Sequence, residues 1–412
     1  MTQEFDLGCI RGGTGSAGPA GAQGPAGPAG PTPSISVGRV TMLGPEEAPY
    51  IRRRADSPDL TPVLDFGLPS PGAGCMNAAV YDPRSRHQDV FAYCDAHAGR
   101  PAAAVTVAAA DSRCRELADF VCDGTADHIT IGQAIAALPE TGGRVVLLEG
   151  SYMLDHTGAP PDGGGERCLI RVEGANVSIM GQGPATRLVL DEEESENDSV
   201  CLLSAEAAGF AAAGFSIDGG SGNGAAAITG LRLGRDAAGA AVERMSVVNC
   251  GRAGVENLGE DADICRCTAA SCGSGLLLSG SGRVRDCVLR ANGHGVRISG
   301  GCQLIQGCGF YDNTDSGVSG SAGNRCLIRD NILWGQPLGL SLSACRDCLI
   351  SGNLIFRGSG NEEWAGGEYP LLLTACQRPH AVGNLLRGKA AELTDCISPT
   401  LSYSGNDWNP TA

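Results

Sequence analysis

Three stretches decide the fold: Val284-Arg285-Asp286-Cys287-Val288-Leu289, Ile305-Gln306-Gly307-Cys308-Gly309-Phe310 and Ile328-Arg329-Asp330-Asn331-Ile332-Leu333. Each runs from an apolar residue to Asp or Gly, then to Cys or Asn, then to a second apolar residue two places on. Extended both ways, the frame gives Met245, Cys267, Cys287, Cys308, Asn331, Asn353 and Asn384, spaced by 22, 20, 21, 23, 22 and 31 residues. The apolar residues three places before are Val242, Ile264, Val284, Ile305, Ile328, Ile350 and Ala381; those two places after are Val247, Ala269, Leu289, Phe310, Leu333, Ile355 and Leu386. A second set, Val255, Leu276, Val296, Val318 and Leu340, keeps the same period, and a Gly precedes every member. A third runs Cys250, Cys272, Asn292, Asn313.

A period of about 21–22 residues with three short strands per turn is one coil of a parallel β-helix. Leucine-rich repeats share the length, but they need dense Leu and a helical segment, and here Gly is too frequent. Equivalent residues on adjacent coils stack about 4.8 Å apart, so Cys lies on Cys and Asn on Asn. The repeat cysteines then read as small apolar filler. The place before each of them holds Arg266, Asp286, Gly307, Asp330, Gly352 and Gly383. Gly and Asp tolerate left-handed backbone, which predicts a bend between two strands. Val177-Ser-Ile-Met-Gly181 and Gly214-Phe-Ser-Ile-Asp218 fit as earlier rungs. The expected fold is all-β, a right-handed single-stranded parallel β-helix of about nine to ten coils.

Composition agrees. The chain has 62 Gly among 412 residues and only 4% aromatics, a bias toward frequent turns. Its net charge is −16, and no basic cluster follows Arg52-Arg53-Arg54, which argues against nucleic-acid binding. No run approaches the ~18 apolar residues of a membrane span, and the first residues lack a basic and an apolar region of a signal peptide. The expectation is synthesis in the bacterial cytoplasm and release without a leader. Cys is abundant and odd in number, 19, and free thiols are expected in a reducing compartment.

Glycine falls at every third place at 15, 18, 21, 24, 27 and 30, with Pro following at 19, 25, 28 and 31. That is the Gly-X-Y register of a triple helix, where only Gly fits at the axis. A triple helix requires three chains and predicts a homotrimer. Residues 33–98 read as a small β element and a connector, and 99–412 as the solenoid, with a helical cap at about 114–140 and coils at about 144–410. The collagen-like run with Asp65-Phe66-Gly67 resembles modules of phage and prophage tail proteins. The stretch from Phe120 through Asp123-Gly124 and Asp127 to Leu138 resembles the N-terminal motif of the pectate-lyase-like superfamily. There an aromatic, Asp-Gly and a short helix close the open end of the β-helix. Asp127 is expected to cap that helix, with Ile131, Ile135 and Leu138 on its inner face.

Three places compete as a site. Asp286 and Asp330 occupy equivalent positions two coils apart, about 10 Å by the strand spacing, just beyond the spacing of inverting glycosidases, and the bend explains both. The acidic run from Asp191 to Asp198 could take Ca²⁺, which some polysaccharide lyases on this fold use, but it lacks a calcium loop; a solvated loop explains it. The long coil between 353 and 384 carries Glu362, Glu363, Trp364, Glu368 and Tyr369, types suited to stacking on and bonding a sugar, or to packing on a neighbouring chain. The six His share no metal or triad spacing, and Cys345-x-x-Cys348 has no partner pair. No metal, no cofactor beyond Ca²⁺ for a lyase, and no catalytic residue is assigned. The expected function is a fibre or spike subunit of a phage or prophage tail, resident in the virion. Its expected partners are itself, other tail or baseplate proteins and host surface polysaccharide. The alternative is a polysaccharide depolymerase, lyase or hydrolase, on the same fold.

Overall fold

A computed structural model describes residues 36–43, 48–58, 62–69, 104–162, 165–191, 199–220, 227–321, 323–357, 364–387, 389, 391–402 and 407–409. The chain divides into two units, 1–99 and 100–412. In the first, strand Ser36–Leu43 pairs in parallel with Val63–Pro69, which pairs antiparallel with Tyr50–Arg53. The collagen-like run, the connector at 78–98, the acidic run beyond Asp191 and the loop residues Glu362 and Glu363 lie outside the described residues.

The second unit is built of three parallel sheets of 13, 11 and 10 strands, called here faces one, two and three. One coil shows the pattern: Gly282–Arg285 on face one, Val288–Arg290 on face two, His294–Ile298 on face three. The next coil repeats it with Gln303–Gln306, Gly309–Tyr311 and Ser316–Ser321. Val284 pairs with Ile305, Leu289 with Phe310 and Val296 with Val318. The ten strands of face three give ten complete coils among the described residues. No helix among them is long and apolar enough to cross a membrane.

The apolar ladders read from the sequence are the core. Val242, Ile264, Val284, Ile305, Ile328 and Ile350 are buried behind face one, and Leu289, Phe310, Leu333 and Ile355 behind face two. Cys267, Cys287 and Cys308 are buried beside them as filler. Asn331, Asn353 and Asn384 continue the same column, and their amides are paired coil to coil. The place before each is a bend, with φ of 54° at Asp286, 66° at Gly307, 58° at Asp330 and 66° at Gly352. A Cβ on Gly307 would stand 2.6 Å from Asp286 Oδ1, and one on Gly352 2.6 Å from Asp330 Oδ1. Each carboxylate therefore leans across the next coil, and only Gly leaves it room.

The two early stretches are rungs as read, Val177–Met180 on face one and Ser216–Asp218 on face two. One expectation changes. Helix α1, Asp127–Ala136, is not capped by Asp127. Ala126, left-handed with φ 47°, takes the cap place without a side-chain bond. Asp127 is the first helical residue and fully buried; its carboxylate accepts Gly124 N–H at 3.0 Å and Met153 N–H at 2.8 Å. The residue ties the helix to the first complete coil. Burial pushes its carboxyl above the usual range, against the pull of those two bonds.

Candidate functional site

Alternation along a strand sends the neighbours of each core residue outward. On face two the inner column Leu289, Phe310, Leu333, Ile355, Leu386 is therefore flanked by two outer ones. The first is Val288, Gly309, Ile332, Leu354 and Leu385. The second is Arg290, Tyr311, Trp334 and Phe356, in register on successive coils, with Arg387 at the matching place on the coil after. Ile332 and Trp334 are each 39% exposed and Leu354 37%. Trp334 and Phe356 meet edge to face, ring centres 5.3 Å apart. A Cβ on Gly309 would stand 2.5 Å from the Tyr311 ring; glycine there lets the ring lie down over the sheet. The result is an apolar strip along the solenoid axis, bounded by Arg290 and Arg387, in which the Trp334 and Phe356 rings stand near perpendicular.

The insertion loop borders this strip. Trp364 is 9% exposed and gives its indole N–H to Arg387 O at 2.8 Å. Glu368 accepts from Arg357 at 2.9 Å and from Ala365 N–H at 2.8 Å. Arg357 in turn donates to Gly335 O, one residue after Trp334, at 3.3 Å. Lys389 donates to the carbonyls of Ala365 and Glu368 and stands 3.9 Å above the Tyr369 ring. The loop is thus clasped to the corner beside the strip. Its Trp presents little ring face to solvent and serves as a plug that holds Arg387.

The sequence reading did not single out Tyr311, Trp334 and Phe356. The signal was present: they follow Phe310, Leu333 and Ile355 by one place, so strand alternation turns them outward. Asp286 and Asp330 stand exposed at the bends described above, Asp330 3.9 Å from the guanidinium of Arg329. Among the described residues no group of three or more His, Cys, Asp or Glu is placed to hold a metal ion.

A second cluster escaped the sequence reading because its members are a coil apart. On face three His294 Nδ1 lies 2.8 Å from Ser316 Oγ, and Nε2 3.8 Å from Asp315. Burial lowers the His294 pKa, outweighing the Asp315 charge. Ser316 is 1% exposed, so a substrate atom has no approach to its hydroxyl, and the cluster reads as a fastening between coils.

The profile of the family "right handed beta helix region" matches residues 229–378. The chain carries a right-handed parallel β-helix. No curated protein matches it. Among solved structures it is similar to the A-module of Azotobacter vinelandii mannuronan C-5 epimerase AlgE6, at 16% identity and TM-score 0.50, covering 68% of this chain and 93% of that one. The Dettilon tailspike protein follows at 13% identity and TM-score 0.47, covering 68% and 62%. The tailspike of E. coli bacteriophage HK620, solved in complex with a pentasaccharide, stands at 14% and 0.46, covering 66% and 57%. The β-helix neighbours thus include phage tailspikes and polysaccharide-acting enzymes, and at these identities the likeness is one of fold.

Proposed function

We propose that this chain is a receptor-binding subunit of a phage or prophage tail, a fibre or spike in the virion, that contacts host surface polysaccharide along face two. The strip of Tyr311, Trp334 and Phe356 carries the reading. Aromatic rings offer apolar faces to the C–H face of a pyranose, and a row of them one coil apart suits a linear polymer. Arg290 and Arg387 stand at its ends to bond sugar oxygens. The described part of the insertion loop, with Trp364, Glu368 and Tyr369, acts as a rim, with Trp364 fixing Arg387. The Gly-X-Y run at 15–30 supports assembly as a homotrimer.

The test takes the full chain with capsular and cell-wall polysaccharides of candidate hosts, with and without Ca²⁺. Intact polymer is expected to co-elute with a particle of three chains. Trp334→Ala is expected to weaken that binding about tenfold, the loss of one stacked ring, with unchanged thermal unfolding. Shortened polymer would make the protein a depolymerase instead. Absence of binding, or binding indifferent to Trp334, would sink the proposal.

A further inference from the structure

A second surface lies where face three returns to face one. Isolated parallel bridges there join Asn324 to Arg346, Arg346 to Gln377 and Gln377 to Ile397. Arg325, Asp347 and Arg378 follow on successive coils, each in left-handed backbone, with φ of 56°, 56° and 49°. Their amides are locked coil to coil: Arg325 N–H donates to Arg346 O at 2.8 Å, Asp347 N–H to Gln377 O at 3.0 Å and Arg378 N–H to Ile397 O at 2.8 Å. Together with Arg346, Asn324, Gly301 and Cys302 these residues line a shallow depression of about 570 Å³.

The charges are unbalanced. Asp347 holds Arg378 in a two-point pair at 2.7 and 2.8 Å. The bond from Arg378, then the charges of Arg378, Arg346 and Arg325, hold its carboxyl below the usual range. Arg325 and Arg346 are exposed and have no side-chain acceptor among the described residues. Three guanidinium groups around one carboxylate leave a surplus of positive charge on a chain whose net charge is −16.

We propose that this corner binds an oxyanion, a carboxylate or phosphate carried on a sugar. Arg325 and Arg346 are its donors, and Arg378 is shared with Asp347. Guanidinium groups suit such anions because their planar fork donates to two oxygens at once. The sugar in this proposal rests on the polysaccharide reading above; the oxyanion site does not.

Cys302 supplies a reporter. It is an exposed free thiol at the wall of the depression, 3.2 Å from Arg325 O. The full chain is treated with iodoacetamide at low salt, and alkylation of Cys302 is followed by peptide mass spectrometry. Exposed Cys114 serves as an internal control. The probes are glucuronate, glucose phosphate and the neutral methyl ester of glucuronate. At least one of the anions is expected to slow alkylation at Cys302 and not at Cys114, while the ester does neither; whichever acts names the source of the oxyanion. Arg346→Gln is expected to weaken the protection about tenfold, the loss of one bond to a charged group. Asp347→Asn, a residue that tolerates left-handed backbone, is expected to strengthen it by releasing Arg378. A misfolded variant would not give that opposite sign. Protection by the ester, protection that survives Arg346→Gln, or no protection by either anion overturns the proposal. Trp334→Ala leaves Cys302 protection intact, so the strip and the corner fail separately.

Discussion

The two halves of the solenoid solve the same problem with different chemistry. In the corner column between faces one and two, the coils of residues 267, 287 and 308 use thiols. Cys267, Cys287 and Cys308 aim Sγ at the carbonyls of Val242, Ile264 and Val284, at 3.6, 3.7 and 3.8 Å. From residue 331 onward amides take over. Asn331, Asn353 and Asn384 donate to the equivalent carbonyls of Ile305, Ile328 and Ile350 at 3.1, 3.0 and 2.9 Å. Their Oδ1 atoms accept the backbone N–H of Cys308, Asn331 and Asn353. The outer surface changes as well. Arg171, Ser204, Arg232 and Glu256 form a polar row on the early coils of face three. The later coils of face two carry Ile332, Trp334 and Leu354 outward. The amide ladder thus underlies the coils that present an apolar strip; the coils before it are fastened from outside by ion pairs, Arg232 with Glu166 and Glu256 on the earliest and Arg285 with Asp263 on the thiol coils. A thiol is a weak donor and an amide a strong one with an acceptor added, so the later coils hold their own spacing from within.

The largest test of that contrast is Arg232→Ala. Arg232 bonds both carboxylate oxygens of Glu166 and reaches Glu256 at 2.8 Å, and the Glu256 side chain is 2% exposed. Removing it takes the cation from the Glu166 carboxylate and leaves the buried Glu256 with Arg252 alone, at 2.6 Å. A loss of about 3 kcal/mol is expected by urea unfolding; a loss under about 1 kcal/mol would mean that the early coils are not held from outside. The variant should also lose acid sensitivity. Burial works to raise the Glu166 carboxyl, but the bonds and charge of Arg232 outweigh it and set the pKa below its ordinary value. That stability is present above the unfolded carboxyl value of about 4.3 and is lost as pH falls through the folded one. A melting-temperature profile against pH should therefore be flatter in the variant.

Asn353→Ala comes next. It removes the side-chain donor to Ile328 O, the acceptor of Asn331 N–H and one of the bonds to the Asn384 amide. A loss of about 2 kcal/mol is expected, read by the same unfolding curve, with hydrogen exchange quickening at Asn331. The smallest effect belongs to Cys287→Ala, which removes a weak donor and one small atom, about 1 kcal/mol. Equal losses for Asn353→Ala and Cys287→Ala would erase the distinction between the two ladders.

Much of this was legible because in-register stacking writes itself into the chain. A core place must be refilled on every coil, so Val284, Ile305, Ile328 and Ile350 recur at the coil length, and the bend at Asp286, Gly307, Asp330 and Gly352 recurs for its backbone angles. Tyr311, Trp334 and Phe356 recur too, but an outward place carries no packing requirement, so their chemistry drifts from Arg290 at one end to Arg387 at the other. The arginine corner was hidden more deeply: the long loop between 353 and 384 shifts Arg378 out of the period. Helix α1 was readable as a helix; Asp127 was misassigned because capping and tying a strand call for the same carboxylate.

By itself the sequence determined the coil, its three-strand period and the contents of its interior, since these are set by local alternation and by like stacking on like. Tertiary structure decided what the outside does. It turned Trp364 inward as a plug, brought His294 against Ser316, and gathered arginines from three coils into one depression. Those outcomes depend on how loops fold back across the coils, and the spacing of residues along a chain does not encode which surface an insertion will cover.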